Sequence, residues 1–127
     1  MRFLGIDHGD SKIGLALGDD EVKLALPFKI VKTKDFFQEI KNIIKEEGID
    51  EIVLGLPKNL NNEETQQTHK VYNFLNELGK VIHLPIHLED ERRTSIMAKN
   101  LKRDRKQDED DSAAAIILDS FLKRSHN

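Results

Sequence analysis

The chain has 127 residues, enough for one hydrophobic core and too few for two. It contains no cysteine, which excludes disulfides, thiolate metal sites and cysteine nucleophiles. Its 20 basic and 23 acidic residues leave a net charge of −3, so no chain-wide basic field marks a nucleic-acid binder, and phosphate contacts would have to come from local clusters or metal ions.

Residues Arg2 to Asp7 predict a strand and Lys12 to Leu17 a second, joined into a hairpin by the turn cluster His8-Gly9-Asp10-Ser11. Phe28 to Val31, after Pro27, reads as a third strand. A helix capped by Thr33 follows, with Phe36, Phe37, Ile40, Ile43 and Ile44 as its apolar stripe and Gly48 as its terminator. Glu51 to Leu56 is a fourth strand, stopped by Pro57. A polar loop then leads to Asn62, which is expected to cap a helix with the stripe Val71, Phe74, Leu75 and Leu78, ending at Gly79. Val81 to Leu88 reads as a fifth strand interrupted by Pro85. Thr94 is expected to cap a short helix carrying Ile96, Met97 and Leu101. A charged loop from Lys102 to Asp110 leads to the last helix, with Ala114, Ile117, Leu118 and Phe121. The order β-β-β-α-β-α-β-α-α predicts one α/β domain over residues 1–127, a mixed five-stranded sheet with helices on both faces. The apolar runs fall far short of the roughly 20 residues that span a bilayer. The first residues, Met1-Arg2-Phe3-Leu4-Gly5, lack a signal-peptide pattern, so the expected location is the cytoplasm, with no membrane partner.

Acidic residues occur where α/β sheets place their sites, at strand ends and helix starts. Asp7 ends the first strand, Glu89, Asp90 and Glu91 end the last, and Asp108, Asp110 and Asp111 precede or open the final helix. Spacing does not choose within the last two groups, and each acid alone is more often a turn or helix cap. Carboxylates that do converge repel one another and need a cation, and hard oxygen ligands select Mg²⁺ or Mn²⁺. Such a site hydrolyses phosphodiesters with no serine, histidine or lysine nucleophile.

Four strings stand in order along essentially the whole chain: Gly5-Ile6-Asp7-His8-Gly9-Asp10-Ser11-Lys12-Ile13-Gly14-Leu15-Ala16, Ile52-Val53-Leu54-Gly55-Leu56-Pro57, Asp90-Glu91-Arg92-Arg93-Thr94-Ser95, and Asp111-Ser112-Ala113-Ala114-Ala115-Ile116-Ile117-Leu118. Together they resemble the YqgF family of ribonuclease H-like proteins, described as pre-16S rRNA nucleases and as Holliday junction resolvases. The resemblance implies a ribonuclease H-like fold and a divalent-metal nuclease site of Asp7, Glu91 and Asp111, binding Mg²⁺ or Mn²⁺. It implies hydrolysis of structured nucleic acid, either pre-rRNA or branched DNA, by a monomer or homodimer. Related junction resolvases carry a further acid near the start of the last helix, and the matching position here is Ala114. Asp10 stands where the family usually has Thr or Ser.

Lys12 and Arg92 flank the acids and are candidate phosphate contacts, although Arg92 reads better as orienting a carboxylate. Lys102, Arg103, Arg105 and Lys106 belong to the densest basic cluster and are candidates for sequence-independent phosphate binding, with a solvated loop as the equal alternative. His8, beside Asp7, is either a proton shuttle or a plain turn histidine. A non-catalytic nucleic-acid-binding module is the competing reading. A sugar-kinase-like nucleotide binder, suggested by Gly5-Ile6-Asp7-His8-Gly9, would need a second domain for which this chain is too short.

Overall fold

A computed structural model describes residues 1–59, 61–91 and 109–124, with side chains in the last segment from residue 113 onward. The strands are β1 (Arg2–His8), β2 (Lys12–Asp19), β3 (Leu24–Lys32), β4 (Glu51–Leu56) and β5 (Ile86–Asp90). The helices are α1 (Phe36–Glu47), α2 (Gln66–Val81) and α3 (Glu109–Arg124), with a single 3₁₀ turn (Thr33–Asp35) before α1. The expected helix from Thr94, carrying Ile96, Met97 and Leu101, lies outside the described residues. Among the described residues no helix is long and apolar enough to cross a membrane.

The five strands form one sheet in the order β3-β2-β1-β4-β5. β1, β2 and β3 are antiparallel neighbours, whereas β4 runs parallel to β1 and β5 parallel to β4. This is the mixed sheet that three successive strands followed by alternating helices and strands predicted. Alternation along each strand divides the core in two. Leu4, Ile6, Ile13, Leu15, Ile52 and Leu54 face α1 and α2. Phe3, Ala16 and Val53 face Ala114, Ile117, Leu118 and Leu122 of α3. Close approach of α3 depends on glycine: a Cβ at Gly5 would lie 2.9 Å from Leu118 Cβ, and one at Gly18 would lie 2.9 Å from both Leu118 and Leu122.

Several boundaries differ from expectation, each for a local reason. Thr33 does not cap a helix. Its hydroxyl donates to Gly9 O at 2.8 Å and its N–H to Ser11 O at 3.0 Å, which ties the β1–β2 turn to the end of β3. β3 starts at Leu24 and runs through Pro27, which is tolerated because β3 is an edge strand among the described residues. Asn62 sits in the loop at φ 64°, and Thr65 caps α2 instead. α2 continues past Gly79 to Val81, so β5 begins only at Ile86 and extends to Asp90. Gly48 is in the left-handed conformation at φ 63° and ends α1, as its position predicts.

The cap of α2 also anchors the loop that leaves β4. Thr68 is fully buried; its hydroxyl donates to Pro57 O and accepts from Thr65 N at 2.9 Å, while Thr65 Oγ1 accepts from Thr68 N at 3.3 Å. Thr68→Val keeps the shape but removes half the cap and orphans a carbonyl. The expected cost is about 2–4 kcal/mol in urea unfolding; a loss below ~1 kcal/mol, the net worth of an ordinary hydrogen bond, would show that the loop finds other partners.

Candidate active site

The sheet end at which β1 and β4 terminate carries the acids. Phe3 and Gly5 of β1 face α3, so Asp7, two residues further on, faces the same way. It lies one residue beyond the last β1–β4 pair, Ile6 with Leu54, and therefore beside Gly55. Glu91 follows β5 directly and its N–H donates to Leu56 O at 3.2 Å, which continues the strand pairing. Its side chain folds back over Gly55: a Cβ there would meet Glu91 Oε2 at 2.6 Å and Ile117 Cδ1 at 2.6 Å. Neighbouring strands lie about 4.8 Å apart, so this seat brings the Glu91 carboxylate to one strand from Asp7 rather than two. Asp111 is the third residue of α3, the helix that crosses this same face, and its side chain lies outside the described residues. Among the described residues no three His, Cys, Asp or Glu form a metal-sized group.

The structure separates the three successive acids at the end of β5. Glu89 faces α3 but is committed there. It is 3 % exposed, Ser120 Oγ donates to its Oε2 at 3.0 Å, and Arg124 pairs with its Oε1. Asp90 points to the opposite face by alternation. Glu91 alone among them is seated on Gly55. Sequence reasoning assigned no role to Gly55 and left Glu89 as one of three acids that spacing does not separate. The same period-2 alternation that places Glu91 would have put Glu89 on its face, but only the contact with α3 reveals their different neighbours. Ala114 is fully buried against the sheet, with its carbonyl 3.1 Å from where a Gly5 Cβ would be, so that position belongs to the core.

Around the acids, the β1–β2 turn is tight; a Cβ at Gly9 would lie 2.6 Å from Lys12 O. Lys12 opens β2 with an exposed side chain at this end of the sheet. His8 ends β1 on the face opposite Asp7, its ring 4.6 Å from that of Phe74. Its Nδ1 is buried with no hydrogen-bond partner among the described residues. Burial pushes the His8 imidazole below its ordinary range, with Asp10 opposing and Lys70 reinforcing the shift, so the ring is neutral at pH 7. It is a packed residue beside the site. Arg92, Lys102, Arg103, Arg105 and Lys106 lie outside the described residues.

Asp10 is not an open negative charge. Lys70 of α2 contacts its two carboxylate oxygens at 3.1 and 3.0 Å across the turn. Both side chains are about half exposed or more, at 49 % for Lys70 and 65 % for Asp10, so the pair adds little stability. Asp10→Asn is expected to change folding free energy by less than about 0.5 kcal/mol. It releases the Lys70 ammonium, so nucleic-acid affinity at low salt should rise and the plot of log K against log salt should steepen by roughly one phosphate contact. An unchanged slope in fluorescence anisotropy titrations would place Lys70 away from bound phosphates.

A mixed sheet of this order, crossed on one face by the C-terminal helix, is the ribonuclease H-like fold. Solved structures agree on the fold. The Thermus thermophilus RuvC in complex with a Holliday junction substrate superposes with a TM-score of 0.61 at 16% identity, covering 98% of this chain and 96% of that one. The Fowlpox virus resolvase in complex with Holliday junction DNA superposes with a TM-score of 0.59 at 10% identity, covering 100% of both. The chain itself belongs to the RuvX family, whose model, described as Holliday junction resolvase, matches residues 1–124. A relative in Maridesulfovibrio salexigens, named as a candidate pre-16S rRNA nuclease, is 42% identical over 98% of this chain and 100% of its own length. A relative of the same name in Mycoplasma mobile is 44% identical over 96% of this chain and 92% of its own length.

Proposed function

We propose that residues 1–127 form a single divalent-metal-dependent endonuclease domain that processes the 5′ end of pre-16S rRNA in the cytoplasm, with Asp7, Glu91 and Asp111 as its metal-binding and catalytic carboxylates. The observation that carries this reading is the seat of Glu91 on Gly55, one strand from Asp7, on the face that α3 crosses. Nucleases of this fold generally use divalent metal ions. The donor set fits a hard cation, since it consists of oxygen ligands only, and Gly55 leaves out the Cβ that would fill the cradle. Mg²⁺ or Mn²⁺ held there would supply an activated water and charge stabilisation at the leaving oxygen. The chain's own residues orient the ligands. Strand pairing fixes Asp7, Gly55 and Ile117 hold the Glu91 carboxylate in place, and α3 carries Asp111 in its first turn. Lys12, with Arg92, Lys102, Arg103, Arg105 and Lys106, would meet backbone phosphates and compensate locally for the net negative chain. The names of full-length relatives favour an RNA precursor as substrate, while the titles of the solved neighbours make a four-way DNA junction the comparison to run.

The test incubates purified protein with a labelled small-subunit rRNA precursor and with a four-way DNA junction, each in Mn²⁺, in Mg²⁺ and in EDTA. Metal-dependent cleavage of the precursor in preference to the junction is expected. Preferential cleavage of the junction would replace the substrate class. No cleavage of either by folded protein would leave a binding module.

A further inference from the structure

Glu89 is a buried carboxylate outside the proposed ligand set, and it sits between two systems that must be aligned. Its strand, β5, leads two residues later to Glu91. Its partners, Ser120 and Arg124, lie in the second half of α3, whose first turn contains Asp111. Among the described residues, the close contacts of α3 over the sheet glycines are largely apolar: Leu118 over Gly5 and Gly18, Leu122 over Gly18 and Ile117 over Gly55. Glycine tracks allow close approach but resist sliding along the helix axis only weakly. Two directional hydrogen bonds onto one carboxylate do resist it. A buried ion pair contributes little net stability against a well-packed apolar substitute, and its best-attested use is to specify register.

We propose that Glu89 is a positioning residue that sets the axial register of α3 against β5, and with it the placement of Asp111 relative to Glu91. Ser120 and Arg124 are its two anchors on the helix. The inference rests on the carboxylate reading of the site given above. Glu89 itself touches neither substrate nor metal. Its charge is met by Arg124, so it adds no negative potential to the ligand cluster.

Two variants separate register from stability. Glu89→Leu keeps bulk, removes both hydrogen bonds and lets Arg124, already 64 % exposed, turn to solvent, so the protein remains folded. Glu89→Gln can still accept from Arg124 and donate to Ser120. In the full chain, Glu89→Leu is expected to weaken Mn²⁺ binding, read by electron paramagnetic resonance of free Mn²⁺, about 10–100-fold, as loss of a residue that orients metal ligands does. The turnover rate should fall in parallel, with KM for the RNA precursor within about twofold, because uniform substrate binding is untouched. Glu89→Gln should stay near wild type in both readouts.

The absence of cysteine permits a second readout that needs no metal. Spin labels at Lys32→Cys on β3 and Lys123→Cys on α3 report the helix position directly. Their distance distribution should shift or broaden by about 1–5 Å in Glu89→Leu, the range from a small helix slide to a full turn, and remain unchanged in Glu89→Gln. A folded Glu89→Leu with the wild-type distance and wild-type Mn²⁺ affinity overturns the proposal. Wild-type protein that binds no Mn²⁺ overturns the carboxylate reading instead, and the label distance still decides the register.

Discussion

Asp7→Asn is expected to lower metal-dependent cleavage about 10³-fold, the several kcal/mol that a metal ion contributes to stabilising transition-state charge. The change is nearly isosteric and leaves β1 paired with Gly14 on one side and running alongside β4 on the other. The melting midpoint should therefore stay within about 3 °C of wild type, less than a one kcal/mol change produces in a domain of this size. What is lost is a full negative charge at the point where Glu91 approaches from across Gly55. Single-turnover cleavage of the rRNA precursor and thermal denaturation by circular dichroism provide the two readings. A rate within tenfold of wild type would remove Asp7 from the catalytic set.

Gly55→Ala should reverse the usual sign of a glycine replacement. In a strand interior alanine is ordinarily the better residue by roughly 0.5–1 kcal/mol. Here the new methyl would lie 2.6 Å from both Glu91 Oε2 and Ile117 Cδ1, so either the carboxylate leaves its seat or α3 moves away. Overpacking of this kind costs about 1–3 kcal/mol, and cleavage should fall at least tenfold because Glu91 retreats towards its own strand. Gly79→Ala is the matched control. Gly79 lies within α2, and a Cβ there meets nothing within 4 Å. That variant should gain roughly 0.5–1 kcal/mol from helix propensity. Urea midpoints for the two would move in opposite directions; a stabilised Gly55→Ala with full activity would refute the seat.

The mixed sheet with helices on both faces was legible because apolar periodicity and the order of elements along the chain are strong signals. β1, β4, α1 with its Gly48 terminator and the α3 stripe all fall close to where the residues predict. The misreadings share a cause, which is that a residue's local preference was overridden by a partner distant in sequence. Thr33 gives its hydroxyl to Gly9 instead of to a helix. The edge position of β3 admits Pro27, and Thr68 reaches Pro57, so Thr65 rather than Asn62 starts α2. At the site, the resemblance singled out Asp7, Glu91 and Asp111, whereas spacing did not. Why Glu89 cannot substitute for Glu91 is written in α3, 31 and 35 residues downstream, and becomes readable only when Ser120 and Arg124 are seen on its carboxylate. The Asp10–Lys70 pair was equally out of reach, because its members stand 60 residues apart.

The β-bulge opposite Leu15 and Ala16, where Phe28 is the extra residue between Pro27 and Lys29, bears on how the protein behaves when crowded. Leu24 and Leu26 on this edge are more than half exposed, a sequence pattern that in a flat strand would template cross-β growth. Pro27 offers no N–H to an arriving chain, and the bulge twists the remaining backbone groups out of line. The edge is thereby made a poor seed for fibres without covering its leucines, and colloidal stability is secured by backbone geometry at a place where side-chain charge is sparse.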